Sequence, residues 1–269
     1  MSLISSLSNA KIKQVRQLRQ RKHRQEGSLV LVEGIHHVGE AAAAAAGMQG
    51  CTIDSIFYAP DLLKSDFAAG LIDGQAGLGV PCYPVTPEVF ASIADKENPQ
   101  GILALVHLLH TGLSELTPQN FPWGVALVAP QDPGNIGTIL RTIDAVGASG
   151  LLLLDSGANP YHPSAVRASM GTLFWYPVVQ APFPDFVRWA RGCGYVIYGT
   201  SAHGSRDYRQ VERYQQPAIL LLGSEREGLS QDQIASCDIL LRLPMRGRAS
   251  SLNLAVAAGV LLYTMLESG

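Results

Sequence analysis

The chain has 269 residues, a formal net charge of −2, and hydrophobic and charged contents of 47% and 16%. That length suits one large domain or two small ones with buried cores, and the balance is that of an ordinary globular α/β protein. It excludes a polycation. Cys51, Cys82, Cys193 and Cys237 form no C-x-x-C pair, and the histidines, His36-His37 included, have no metal-ligand spacing. Reduced thiols in a cytoplasmic protein are expected, with no disulfide framework and no metal. The start MSLISSLSNAK lacks the apolar core of a signal peptide. The longest apolar stretch, Leu252 to Leu266, is shorter than a membrane span and is expected as a buried helix, so no membrane partner is expected.

In chain order, Lys11, Lys13, Arg16, Arg19, Arg21, Lys22 and Arg24 crowd one segment with no acid before Glu26. The segment predicts a helix over about Lys11–Gln25, whose charge is either a solvated face or a phosphate-binding surface. A strand at Leu29–Val32 breaks at Glu33-Gly34 into a second helix through Ala41–Ala46, because alanine is the best helix former. Ile53–Tyr58 and Ile102–Val106 read as further strands, with a short helix within Val85–Ala94. Together these predict a compact α/β unit. From His110 to Pro122 the periodicity stops, which predicts a linker. The expected organisation is an N-terminal domain at 1–108, a linker at 109–121 and a second domain at 122–269.

Beyond the linker, Val125–Ala129, Leu151–Leu154, Tyr195–Tyr198, Ile219–Leu222 and Ile239–Leu241 are short apolar runs, mostly separated by helical stretches. Such runs imply a parallel sheet covered on both faces, whose ligands bind beyond the carboxyl ends of the strands. Three polar motifs sit at or just after those ends. The first, in Ala129 to Gly150, places Asn135 and Arg141 six residues apart. Pro133-Gly134-Asn135 reads as a turn, Asn135 or a neighbour as a helix cap, and Gly137 as a point of close backbone approach. Both polar side chains are expected to reach one end of the site from adjoining turns. The second motif, LLGSEREGLS (Leu221 to Ser230), predicts a tight loop around Gly223, Glu225 and Gly228. Glu225 either holds a positive group or shapes the loop. The third, Leu241 to Met265, ends a strand in the rigid apolar Leu243-Pro244-Met245. Ser250 or Ser251 reads as the cap of the last helix. Asn253 lies past that cap, and its amide needs a partner, since burying it unpaired is costly. Arg167, in Arg167-Ala168-Ser169-Met170-Gly171, either stabilises its helix end or faces the same cleft. No G-x-G-x-x-G fingerprint and no G-K-[ST] P-loop is present.

In this order and spacing, from about Pro122 onward, the motifs resemble the SpoU/TrmH family of RNA ribose 2′-O-methyltransferases. The stretch NAKIKQVRQLRQRK…LVLVEGIHHVGEA resembles the substrate-binding domain found before the catalytic domain of rRNA-directed members, itself similar in fold to ribosomal protein L30e. The resemblance implies an α/β protein with a C-terminal parallel-sheet trefoil-knot (SPOUT) domain and a smaller N-terminal RNA-binding α/β domain. It implies a homodimer through the C-terminal domain and S-adenosylmethionine as cofactor. Thr200, Ser201, Ala202, Leu222, Gly223, Leu243, Met245, Ser251 and Leu252 would line the cofactor site. Asn135, Arg141, Glu225, Ser251 and Asn253 would form the catalytic set, with Arg141 as the family's candidate base. A guanidinium stays protonated in proteins, so its milder role is to clamp RNA phosphate and stabilise a developing alkoxide. Lys11, Lys13, Arg16, Arg21, Lys22 and Arg167 would contact RNA. The expected activity is ribose methylation of RNA, 23S rRNA above all. The alternatives are a tRNA substrate, in a group where long basic extensions are expected, or a non-catalytic RNA-binding or ribosome assembly factor.

Overall fold

The computed structural model describes residues 2–19, 29–47, 50–95 and 98–267, which form two compact units, 1–109 and 110–269. Arg21 and Lys22, expected to contact RNA, lie outside the described residues. In the first unit, helix α1 (Ala10–Arg19) precedes β1 (Leu29–Glu33), α2 (Ile35–Ala46), β2 (Cys51–Tyr58), α3 (Asp66–Gly77), β3 (Cys82–Pro84), α4 (Pro87–Ile93) and β4 (Ile102–Leu108). The strands form one sheet in the order β1-β4-β2-β3, antiparallel except for β2 with β3. Ile12 and Val15 of α1 and Val89, Phe90 and Ile93 of α4 pack with Phe57, Leu103 and Leu105 of the sheet. The alanine run is a packed helix, with Ala41, Ala42 and Ala44 buried.

The second unit runs β5 (Trp123–Val128), α5 (Pro133–Val146), β6 (Leu151–Leu154), α6 (Pro163–Ser169), β7 (Val178–Ala181), α7 (Phe183–Gly192), β8 (Val196–Thr200), β9 (Arg206–Asp207), β10 (Ala218–Leu222), α8 (Gln231–Ala235), β11 (Ile239–Arg242) and α9 (Leu254–Glu267). Its seven described strands are all parallel, in the order β7-β6-β5-β10-β8-β11-β9. β5, β6 and β10 are buried at every position, as continuous apolar runs in a sheet covered on both faces require.

Three sequence readings change here. In the stretch 109–121, Leu116 and Phe121 are buried in the core of the second unit. Trp189 donates its indole N–H to the Leu116 carbonyl (3.0 Å), and Tyr195 its hydroxyl to the Phe121 carbonyl (2.7 Å). The segment is irregular because its polar backbone groups find side-chain partners rather than a ladder. Secondly, α9 is not wholly buried: Val256, Val260 and Tyr263 are 53%, 37% and 49% exposed, while Leu254, Ala258, Leu261 and Leu262 on its other side are buried. Uniform apolarity hides which face is covered, because periodicity carries no signal when every position is apolar. Thirdly, β3, β7 and β9 were not anticipated as strands: β3 and β9 span three and two residues, and β7 (VVQA) is broken by an exposed Gln180, so none carries a continuous apolar run.

Candidate active site

The turn between β5 and α5 and the loop after β10 are adjacent because β5 and β10 are paired in the sheet. Ala129, directly after β5, has a φ of 44°, a left-handed conformation uncommon for a residue with a Cβ. Asp132 then caps α5, its Oδ1 accepting from the Gly134 N–H at 2.8 Å, with Pro133 as the first helical residue. The cap is therefore this neighbour and not Asn135, which is buried in the first turn of the helix. Gly137 is required by packing, since a Cβ there would run into the Ala165 carbonyl of α6.

Across from this turn, Ser224 and Gly228 exchange backbone hydrogen bonds, closing a tight loop that presents Glu225. A Cβ on Gly223 would overlap the backbone of Gly228, so only glycine closes it. The Glu225 carboxylate accepts from the Gln131 N–H (3.0 Å), the Asp132 N–H (3.3 Å) and the Asn135 side-chain amide (3.1 Å). Partial burial disfavours its charge, but these backbone and side-chain donors outweigh that and hold its carboxyl below the usual range. Of the two roles read from the sequence, shaping the loop is the one this geometry fills.

Asn253 is itself the cap of α9. Its Oδ1 accepts from the Ala255 and Val256 N–H groups at 2.9 and 3.2 Å, and its Nδ2 donates to Asn135 Oδ1 at 2.9 Å. The reading of Ser250 or Ser251 as the cap is corrected: the helix starts later, and both serines belong to an irregular segment before it. The direction of the relay is fixed by the backbone. Asn253 must turn its oxygen to the helix N–H groups, so its amide nitrogen faces Asn135, whose own nitrogen must then face Glu225. Three motifs distant in sequence thus meet in one chain of hydrogen bonds. Arg141 is not part of it. Six residues beyond Asn135 it stands about 9 Å further along the helix and about 120° around it, exposed, with no hydrogen bond or ion pair among the described residues.

Beside the relay, beyond the ends of β8, β10 and β11, lies a cavity of about 520 Å³. Its lining includes Thr200, Ser201, Ala202, Leu222, Gly223, Leu243, Met245, Ser251 and Leu252, together with Glu225 and, from α9, Leu254, Ala257 and Leu261. The structure brings together the whole set expected for the cofactor; Arg141 and Arg167 do not line it. His203, Leu229 and Leu261 also line the cavity and were not singled out from the sequence, although Leu229 and Leu261 lie within the second and third motifs. Arg167 is exposed on α6. In the first unit, Lys11 lies over the Tyr83 ring at 4.4 Å, Arg16 donates to the Leu7 carbonyl, and Lys13 is exposed. Among the described residues no group of three His, Cys, Asp or Glu side chains is placed to hold a metal ion, and no helix is long and apolar enough to cross a membrane.

The chain matches known proteins along its whole length. Residues 9–104 match the MRM3-like substrate-binding domain. A 23S rRNA (guanosine(2553)-2′-O)-methyltransferase, RlmP of Bacillus subtilis, is 30% identical over 264 residues, covering 98% of each chain. The crystal structure of an AdoMet-bound rRNA methyltransferase from Sinorhizobium meliloti superposes with a TM-score of 0.87 at 34% identity, over 99% of this chain and 97% of that one. The SpoU methyltransferase AviRb from Streptomyces viridochromogenes, in complex with AdoMet, gives a TM-score of 0.83 at 31% identity, over 96% and 97%. Residues 122–263, which hold the relay, the cavity and every strand of the parallel sheet, match the SpoU rRNA methylase family, and the chain belongs to that family.

Proposed function

We propose that this protein transfers a methyl group from S-adenosylmethionine to a ribose 2′-hydroxyl of large-subunit rRNA, acting as a cytoplasmic homodimer. The observation that carries this reading is the Asn253–Asn135–Glu225 relay set against a cavity of the right size at the carboxyl ends of parallel strands. The residues present fit the cofactor. Leu222, Leu241, Leu243, Met245 and Leu252 offer apolar surface for a purine. When bound, S-adenosylmethionine supplies an electrophilic sulfonium methyl.

The protein's own contribution is placement. Glu225 braces the β5–α5 turn by accepting from its N–H groups, and Asn253 ties the start of α9 to the same turn. A rigid frame of this kind aligns two reactants without further ordering at the moment of reaction, which accounts for much of the acceleration in such displacements. Arg141, exposed on α5, is assigned to the RNA side, where its guanidinium stabilises the charge that develops on the 2′-oxygen. Ser251, at the cavity wall, is assigned to orient the bound ligands. The exposed Lys11 and Lys13 on α1, and Arg167 on α6, are assigned to phosphate contacts.

Dimerisation is supported by Val256, Val260 and Tyr263, an exposed apolar stripe at helical spacing on α9. The knot is supported by the path of α9. It follows β11, near one edge of the sheet, yet packs against α5 and β10 at the centre. The test is transfer of labelled methyl to unmodified 23S rRNA transcript and to tRNA. Label in 23S rRNA at an alkali-resistant site, lost in Arg141→Ala, is expected. Label in tRNA alone moves the substrate, and absence of S-adenosylmethionine binding overturns the reading.

A further inference from the structure

The segment Leu243–Asn253 between β11 and α9 has no regular secondary structure, and both of its ends line the cavity through Leu243, Met245, Ser250, Ser251 and Leu252. Its middle, Arg246-Gly247-Arg248-Ala249, therefore stands at the cavity rim, because Arg246 follows Met245 directly and Arg248 is two residues from Ser250. Both arginines are exposed, and neither makes a hydrogen bond or an ion pair among the described residues. Three arginines of this unit are paired with carboxylates, Arg188 with Asp185, Arg191 with Asp238 and Arg209 with Asp207; what sets Arg246 and Arg248 apart from other exposed arginines such as Arg141 is their place in a loop whose two ends line the cavity. The unit contains no lysine, so every cation in it is an arginine.

We infer that Arg246 and Arg248 are phosphate-clamping residues that seat the target nucleotide over the cavity. The inference rests on the proposed methyl transfer to RNA and adds a substrate contact to that site. A ribose 2′-hydroxyl entering the cavity brings its own 3′-phosphate to the rim, since the two groups sit on adjacent ring carbons. An arginine fork matches phosphate oxygens in two parallel hydrogen bonds, which fixes orientation as well as supplying charge. A Cβ at Gly247 would meet nothing within 4 Å, so the backbone between the two arginines is open to the solvent side where RNA must lie. These are positioning residues, since they fix the nucleotide and leave the methyl acceptor itself untouched.

The experiment uses the full chain with Arg246→Ala, Arg248→Ala, the double variant and, as a charge control, Arg188→Ala. Three quantities are read: S-adenosylmethionine affinity by calorimetry, binding of unmodified 23S rRNA transcript across a salt series, and kcat/KM for methyl transfer. The expected result is unchanged cofactor affinity, a fall of about 0.7 in the salt slope for each arginine removed from single-stranded RNA, and at least a tenfold loss of kcat/KM in the double variant. Arg188→Ala should leave the slope as it was. Unaltered slope and kcat/KM in the double variant, with the wild type active, overturn the clamp alone. Loss of cofactor affinity in step with activity also overturns it, because the loop would then act on the cavity wall. A wild type that transfers no methyl to RNA but loses salt-dependent binding in the double variant overturns the catalytic reading and keeps the clamp.

Discussion

Replacing Asn135 with Asp would set a second carboxylate against Glu225, where the native amide donates at 3.1 Å. Like charges this close raise the pKa of one of them in the folded state. A raised folded pKa gives stability that is present at low pH and lost as pH rises. Asn135→Asp should therefore unfold more easily than Asn135→Ala at pH 7, with the gap closing towards pH ~4, as urea titrations at the two pH values would reveal. Native Glu225 has the opposite sign. Its carboxyl is held below its ordinary value of 4.5 by the donors around it, so its stabilisation is complete above that pH and is lost as pH falls through the depressed value. Glu225→Gln should cost about 1.5–3 kcal/mol at neutral pH, the range for a hydrogen bond to a charged group, and should flatten the acid limb of the stability profile. At this scale the sequence singled out residues that the structure joins, for reasons that the geometry matches only in part. Asn253 needed a partner and has one, but it is also the helix cap assigned to a serine. Partners 90 and 118 residues apart in sequence cannot be paired from spacing. Arg141 shows the reverse case: proximity in sequence to Asn135 does not join it to the relay, because a helix turns side chains six apart onto different faces.

Among the elements, the buried strands were the most legible, since Leu151–Leu154 and Ile219–Leu222 are apolar without interruption and a central parallel strand must be. The helices of the second unit gave up their faces less readily. In α5 the buried Ile136, Ile139, Leu140 and Ile143 follow a 3.6-residue period, but α9 is apolar all round and concealed its exposed stripe. Val260→Asp places a charge at the centre of that stripe without touching the buried Leu261 or the cavity. It should convert the proposed dimer to monomer in sedimentation experiments while leaving the melting temperature at low concentration close to that of the native chain. An unchanged sedimentation coefficient would show that this stripe is not a self-association surface.

The molecule divides into two units with separate cores, one around Phe57 and Phe90 and the other around Phe121 and Phe186. A fragment of residues 110–269 should fold and bind S-adenosylmethionine, because the relay and the cavity lie wholly within it. It should lose selective methylation of 23S rRNA, measured against a mixture with tRNA, if the first unit chooses the substrate. The cut belongs before the stretch 110–121, since Leu116 and Phe121 anchor that stretch to the second core. Polar composition alone had marked it as a linker, and only the indole and phenol donors reaching its carbonyls identify it as a fixed strap. The two sides of α9 carry a further consequence. Leu254, Ala257 and Leu261 line the cavity, whereas Val256, Val260 and Tyr263 face outward on the same rigid rod. A molecule filling the cavity and a second chain gripping the outer side would thus act on one body, and thermodynamic reciprocity binds the two events. Whatever factor the cofactor adds to the association constant, association must add to cofactor affinity; where that factor exceeds one, diluting the protein loosens its hold on the methyl donor.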